Sequence, residues 1–408
     1  MKNTHLVPVA VVLLALGRGF PAAAQSVSLP AAPASAASAT TLDPVVVTAT
    51  RSPRALSTVP ASVSVIGAEQ IEDTPALALD DVLRHVAGVD LPIQSGIQAH
   101  PTADNVSMRG LGGIRALVLV DGVPINDPFF GTVQWARVPL ENIDRVEIVR
   151  GGGSPLWGND AMGGAIHIIT RDPTVDTAVV DVGGGSYDTY RTNLFASYGL
   201  GASHRLSLDA NLDGTRGFQA VPLYARRPFD TPTSFSARNI QLSDRFTPSP
   251  DLSADFSLTH HENDQRLGTF LNTNTQSTTN YVARLRRTFG TDTSLTGTLF
   301  HGDSRFVTRN PTVTDPSLPI DTQTEHLDNV HTTPVHDTGG SLVLSRDMAT
   351  MLKNITLGVD FHRIGGSDSA AIYDATGNGQ VRTDYGSGKE QFIGGFVQGS
   401  LKPVDRLE

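Results

Sequence analysis

Three segments of the chain alternate strictly between apolar and polar residues. Leu206, Leu208, Ala210 and Leu212 interleave with Arg205, Ser207, Asp209 and Asn211. Leu252, Ala254, Phe256 and Leu258 interleave with Ser253, Asp255, Ser257 and Thr259, and Ile355, Leu357, Val359 and Phe361 with Asn354, Thr356, Gly358 and Asp360. Successive side chains of a strand point to opposite faces, so each segment has one apolar and one polar face. Weaker copies occur near 192–199, 281–288, 293–300, 338–345 and 391–400. Strands of about ten residues with this alternation suit a wall between lipid and a wet lumen. The connections near 199–203, 247–251, 289–292 and 346–352 are short, whereas 213–237, 261–279, 301–337 and 363–389 are long and polar. Short and long alternate, as in a transmembrane antiparallel β-barrel with tight turns on one side and long loops on the other. A soluble β-sandwich shares the strand pattern, but loops of ~20–35 residues on one side only are uncommon in compact domains.

Before Pro173 the pattern is mixed α/β, over residues 52–172. Ser62 to Gly67 alternates as a strand. Leu79, Val82, Leu83 and Val86 fall on one face of a helix, with Gly88 where a C-terminal cap belongs. Val106–Arg109, Ala116–Asp121, Arg145–Arg150 and Ala165–Thr170 read as further strands, separated by Gly- and Pro-rich turns. About 120 residues suffice for one compact domain. Residues 25–42 are rich in Ala, Ser and Pro with almost no charge, a linker composition. They lead into Asp43-Pro44-Val45-Val46-Val47-Thr48-Ala49-Thr50-Arg51. This β-branched run suits either addition to the sheet edge of another protein or the first strand of the following domain. Lys2, the apolar run Val7–Leu16 and the small residues Ala22 and Ala24 read as a cleavable signal peptide over residues 1–24.

Composition narrows the function. The formal charge of −10 and the lack of a Lys/Arg cluster argue against a nucleic-acid partner. With no cysteine, disulfides and thiolate metal sites are unavailable. No nucleophile elbow, P-loop, HExxH or carboxylate dyad supports an enzyme.

In this order the pieces resemble the TonB-dependent receptors of Gram-negative outer membranes, over everything after residue 24. Asp43–Arg51 resembles the TonB box and the start of the plug. Asn105-Val106-Ser107-Met108-Arg109-Gly110 resembles the family's "IRG" strand, and Leu119-Val120-Asp121-Gly122-Val123-Pro124 its "LvDGvp" segment. Ile143 through Gly151 to Leu156-Trp157-Gly158 follows "ieRvEvvrGp.s.lyG", and Gly163–Thr170 follows "gGvinIiT". The resemblance implies an α+β plug domain (52–172) inside a transmembrane antiparallel β-barrel (174–408), preceded by a flexible arm (25–51) with a TonB box at 43–50. We count about ten strands where barrels of this kind have about 22, so the resemblance implies a barrel incomplete in this chain.

The family's mechanism implies active uptake of a scarce ligand such as a ferric siderophore, haem or a cobalamin, with no tightly bound cofactor. The implied partners are TonB (with ExbB–ExbD) on Asp43, Pro44, Val45, Val46, Val47, Thr48 and Ala49, the lipid bilayer, and a small molecule at the outer loops, for a monomeric receptor. The alternatives are a passive outer-membrane channel or adhesin, or a receptor fragment without function. Arg109 and Arg150 are expected to contact acidic groups on the barrel wall. For Arg145, pairing inside the plug with Glu147 or Asp144 stands equally open. Plug apices at Gln94–Asp104 and Asn126–Trp135 offer His100, Phe129, Phe130 and Trp135 as ligand contacts, while Trp157 reads as a packing residue. His326, His331 and His336, spaced by five within the expected loop 301–337, are candidate ligands for a metal or haem iron.

Overall fold

A computed structural model describes residues 45–46, 50–92, 105–111, 115–172 and 174–401. The signal-peptide and linker readings lie outside these residues, as do Asp43, Pro44, Val47, Thr48, Ala49 and His100.

The arm forms a two-residue strand β1 (Val45–Val46) paired antiparallel with β2 (Arg54–Ala55). The plug follows with β3 (Ser62–Gly67), α1 (Ala68–Glu72), α2 (Leu79–Leu83), β4 (Val89–Asp90) and β5 (Ser107–Met108). It continues with β6 (Ala116–Val120), β7 (Val123–Pro124), β8 (Ile143–Arg150), α3 (Ser154–Trp157) and β9 (Gly164–Thr170). β3, β8, β9, β6 and β7 make one sheet in that order, antiparallel except for β6 beside β9. Both α1 and α2 start with acidic residues in the first turn, where the helix dipole favours them. The Asp81 carboxylate accepts from the Leu77 and Ala78 amides at 3.0 and 3.4 Å, capping α2.

Alternation on the plug sheet sends Val118, Val146, Ile148, Ile166 and Ile168 to one face, where they bury against Ile71, Leu79, Val82, Leu83 and Trp135. Leu117, Leu119 and Ala165 form a smaller core with Ala161 and Trp157. Glu147 lies directly opposite His167 across β8 and β9, and both are buried. Arg145 answers this charge, donating to Glu147 at 3.0 Å and to Asp144 at 2.8 Å. Of the two readings of Arg145, the structure has the pairing inside the plug.

Ten described strands then form one antiparallel meander. They are β10 (Thr177–Gly185), β11 (Thr189–Leu200), β12 (His204–Thr215), β13 (Ser234–Ser249), β14 (Leu252–Arg266), β15 (Thr273–Phe289), β16 (Thr293–Val313), β17 (Glu325–Asp347), β18 (Leu352–Tyr373) and β19 (Gln380–Leu401). Tyr281, Leu285, Leu299, Leu342, Val359 and Phe361 point outward and are exposed. Asn211, Asn239, His261, Thr278, Thr298 and Thr356 point inward and are buried.

The strands run further than the alternation indicates. The connections on one side are 186–188, 216–233, 267–272, 314–324 and 374–379, so much of the expected loops 261–279, 301–337 and 363–389 is strand, while most of 213–237 remains a connection. β17 alone has 23 residues, about 75 Å of extended chain against an apolar band ~25 Å tall. Past the apolar band both faces of a strand are polar, so the hydropathy pattern fades while the hydrogen-bond ladder continues. On the other side 201–203, 250–251, 290–292 and 348–351 are tight turns, as expected.

Candidate functional site

The arm enters the structure at the tight-turn side. Val46 is fully buried although its strand has only two residues. Arg54 donates to Asp347 at the end of β17 at 3.1 Å. Between the two short strands the chain turns sharply, with Arg51 in the left-handed region at φ +53°. The Thr50 hydroxyl donates to the Ser52 carbonyl at 2.6 Å, which supports that turn.

This conformation sends the Arg51 guanidinium inward. It sits 4.0 Å from the ring centroid of Trp157 in the plug and 5.0 Å from that of Phe396 on β19. Its Nη1 donates to Asp360 Oδ1 on β18 at 2.5 Å. Burial lowers the Arg51 pKa, and the Asp360 charge and hydrogen bond oppose that shift. A guanidinium stays protonated in such a setting and is suited to stacking on aromatic faces. One side chain next to the candidate TonB box thus touches arm, plug and barrel wall. A cavity of about 480 Å³ opens beside it, lined among others by Trp157, Phe300, His362 and Phe396. A second cavity of about 170 Å³ lies between the plug and β11–β15, where Asp121 and Arg137 face Asp209, Arg245 and Arg284.

Elsewhere the plug meets the wall mainly through hydrogen bonds. Asn239 Nδ2 donates to the Ala136 carbonyl at 2.6 Å, and Asn263 Nδ2 to Gln134 Oε1 at 3.1 Å. Arg191 reaches in from β11 to Glu141 at 3.2 Å and to the Leu77 carbonyl at 2.6 Å. Arg284 of β15 donates to the Asp121 carbonyl. Phe235 and Ala237 add a small apolar contact by joining the plug core. The expected wall contacts of Arg109 and Arg150 are corrected here. Arg150 donates to the Ala87 carbonyl at 2.7 Å and to Ser64 Oγ at 2.9 Å, and Arg109 lies over Gly151, all within the plug. Arg191 and Arg284 show the opposite arrangement, with arginines of the wall bonded to oxygens of the plug.

The apex near Asn126 is a compact turn. Asp127 Oδ1 accepts from the Phe129 and Phe130 amides at 2.9 and 2.8 Å, which presents both rings outward. Burial raises the Asp127 pKa, and those two amides and Arg137 pull it back. Phe130 meets Phe306 of the wall edge-on at 5.5 Å, while Phe129 is exposed and lies over Gly366. Trp135 is not on this surface. It is 1% exposed in the plug core, so the expectation of a ligand contact there is corrected.

The three histidines do not converge. All lie on β17, where a strand sends odd and even positions to opposite faces. His331 faces the lumen side and bonds Asp368 at 2.8 Å, whereas His336 faces outward and bonds Asp303 at 2.5 Å. His326 meets Thr314 Oγ1 at 3.1 Å, some ten residues or ~33 Å along the strand from His336. Among the described residues no three metal-binding side chains come together. The sequence reading overlooked Arg51. Asp360, though, was already marked as inward by the alternation of 354–361.

Residues 55–165 match the family model described as TonB-dependent Receptor Plug Domain. The chain is 37% identical over 179 residues to the vitamin B12 transporter BtuB of Vibrio vulnificus (strain CMCP6), covering 44% of this chain and 29% of that protein. It is 34% identical over 189 residues to the vitamin B12 transporter BtuB of Photobacterium profundum, covering 46% and 30%. The matched part therefore spans less than a third of these relatives. In fold, the chain is similar to the ferripyoverdine receptor of the outer membrane of Pseudomonas aeruginosa, with a TM-score of 0.70 at 18% identity over 89% of this chain and 52% of that one. It is also similar to the ferric-catecholate import receptor Fiu of E. coli K12, with a TM-score of 0.65 at 14% identity over 85% and 57%. Residues 55–165 thus carry a plug domain of the TonB-dependent receptor type, and the ten-stranded sheet around it has the fold of part of such a receptor's barrel.

Proposed function

We propose that this chain carries the arm, the plug and barrel strands of an active importer in a Gram-negative outer membrane, with TonB and ExbB–ExbD pulling on residues 43–50. The observation that carries this reading is the Arg51 clamp. Tension on the arm would draw Arg51 from between Trp157 and Phe396, so a pull at one end of the chain reaches both plug and wall. The polar seam around the plug suits repeated release, because its hydrogen bonds can be exchanged for water. The relatives named as vitamin B12 transporters favour a cobalamin over a ferric siderophore or haem as the transported ligand. Phe129 and Phe130, with His100, are the proposed contacts at the plug apex. The domain division proposed is a signal peptide to residue 24, the arm to 51, the plug to 172 and barrel from 174.

Val46→Pro tests the coupling, because proline removes a backbone donor from the pairing strand. In cells expressing the receptor from its own gene, cobalamin uptake should collapse while surface binding of cobalamin persists. Uptake at the wild-type rate would refute the assignment of 43–50.

A further inference from the structure

Strand register leaves a gap on the inner face of β16–β19, beside Arg51. Phe300, Gly339, His362 and Phe392 are lateral neighbours across the four strands, and Phe300 meets His362 edge-on at 5.3 Å. One row toward the tight turns come Thr298, Ser341, Asp360 and Gly394, with no large apolar side chain. In the row after that, Phe396 lies beside Gly358. Rows on one face of a sheet are about 7 Å apart, so an aromatic row and Phe396 flank a row of small and polar residues. The rings also lie down on the wall, since an added Cβ at Gly339 would collide with Phe300 and one at Gly358 with Phe396. Leu119 and Trp157 line the side formed by the plug. The outcome is the cavity of about 480 Å³, a volume that takes small molecules.

The polar groups around this cavity are unequally matched. The Arg51 side chain is 8% exposed, and its Nη1 is held by Asp360. Its Nε is buried and has no hydrogen-bond partner among the described residues. A buried donor left unmade is costly, so an acceptor brought to it binds favourably. Asp160 also lines the cavity, and with Asp360 it sets two carboxylates against one guanidinium. That balance disfavours an anion, while the rings favour a flat apolar guest.

We propose that this cavity binds a neutral, flat heteroaromatic compound whose ring nitrogen accepts from Arg51 Nε, and that its occupancy holds the arm docked. A guest that reaches Arg51 only in its docked position binds that state alone and shifts the arm toward it. The inference rests on the Arg51 clamp, and on neither TonB nor the identity of the transported ligand.

The test uses the whole receptor in lipid nanodiscs without TonB, with 1-methylbenzimidazole, neutral at pH ~7.5, as the probe. Saturation-transfer NMR should give a Kd of about 1 mM or tighter. 1-Methylindole has the same outline without the acceptor nitrogen and should bind about tenfold more weakly. The 2-naphthoate anion should also bind more weakly than the neutral probe. Gly394→Trp fills the gap, because a Cβ there meets nothing within 4 Å. It should abolish binding, while a spin label at Val45→Cys stays as immobile as in the parent. Asp360→Asn releases the arm in part. At about ten times its Kd, the probe should shift that variant about tenfold back toward the immobile line shape. Equal binding of 1-methylbenzimidazole and 1-methylindole, undiminished binding by Gly394→Trp, or an unchanged Asp360→Asn spectrum would each overturn the proposal. If Gly394→Trp fails to fold, Gly394→Leu carries the same comparison with a partial loss. Failure of the TonB assignment would appear in the uptake of Val46→Pro and leave these results unchanged, which separates the two.

Discussion

Replacing Arg51 by alanine should free the arm without unfolding the plug. Removing one partner of a buried ion pair costs ~3–5 kcal/mol. Asp360 keeps 32% of its side chain exposed, so water can take over part of the lost contact. We reduce that share to ~1–2 kcal/mol. Losing the desolvated contact of the guanidinium with Trp157 adds ~1–2 kcal/mol. The docked arm should therefore lose ~2–4 kcal/mol, a shift of roughly 30- to 700-fold toward the undocked state. A spin label at Val45→Cys, a half-exposed position, reports this equilibrium in the whole receptor without TonB. Arg51→Ala should convert the spectrum to a mobile line shape. Asp360→Asn should do so in part, because the aromatic contacts survive. Arg51→Lys should fall between, since an ammonium keeps the charge but loses the planar stacking. Spectra of Arg51→Ala and Asp360→Asn identical to the parent would refute the clamp.

Two further outcomes concern the plug itself. Burial lowers the His167 pKa to about 4, against an unfolded value near ~6.5. As pH falls the unfolded chain takes up this proton first, so stability present above pH ~6.5 is lost toward pH ~4, by up to about 3 kcal/mol. Both tryptophans lie in the plug, so denaturant titrations followed by tryptophan fluorescence should show a shallower pH slope for His167→Gln, and equal slopes would contradict the assignment. Gly164→Ala should destabilise the plug by ~3 kcal/mol or more, because φ is +143° and the new Cβ would lie 2.3 Å from the Val149 carbonyl oxygen and 2.8 Å from Met108 Sδ. Gly122→Ala, also left-handed but facing open space, should cost only ~1 kcal/mol in the same titration, and equal costs would refute the steric argument.

Local sequence was enough for the elements whose two faces meet different surroundings. Ser62–Gly67 is a strand with the expected bounds, and Leu206–Leu212, Leu252–Leu258 and Ile355–Phe361 lie in strands with the expected faces outward. The ordered plug motifs pointed to the family for a related reason, because each holds a turn or a core position that few residue types can fill. Other features arise only when distant segments meet. How far β17 extends is set by hydrogen bonding to β16 and β18, which leaves no hydropathy signal once both faces are polar. That extension separates His326, His331 and His336, which linear spacing had grouped. Whether Trp135 faces a ligand or the core depends on a turn closing over α2, not on its neighbours in sequence. Arg51 and Asp360 lie 309 positions apart, and no local pattern encodes such a pairing. Long charged side chains choose among partners brought near by sheet register and curvature, and these arise only when the whole wall has assembled around the plug.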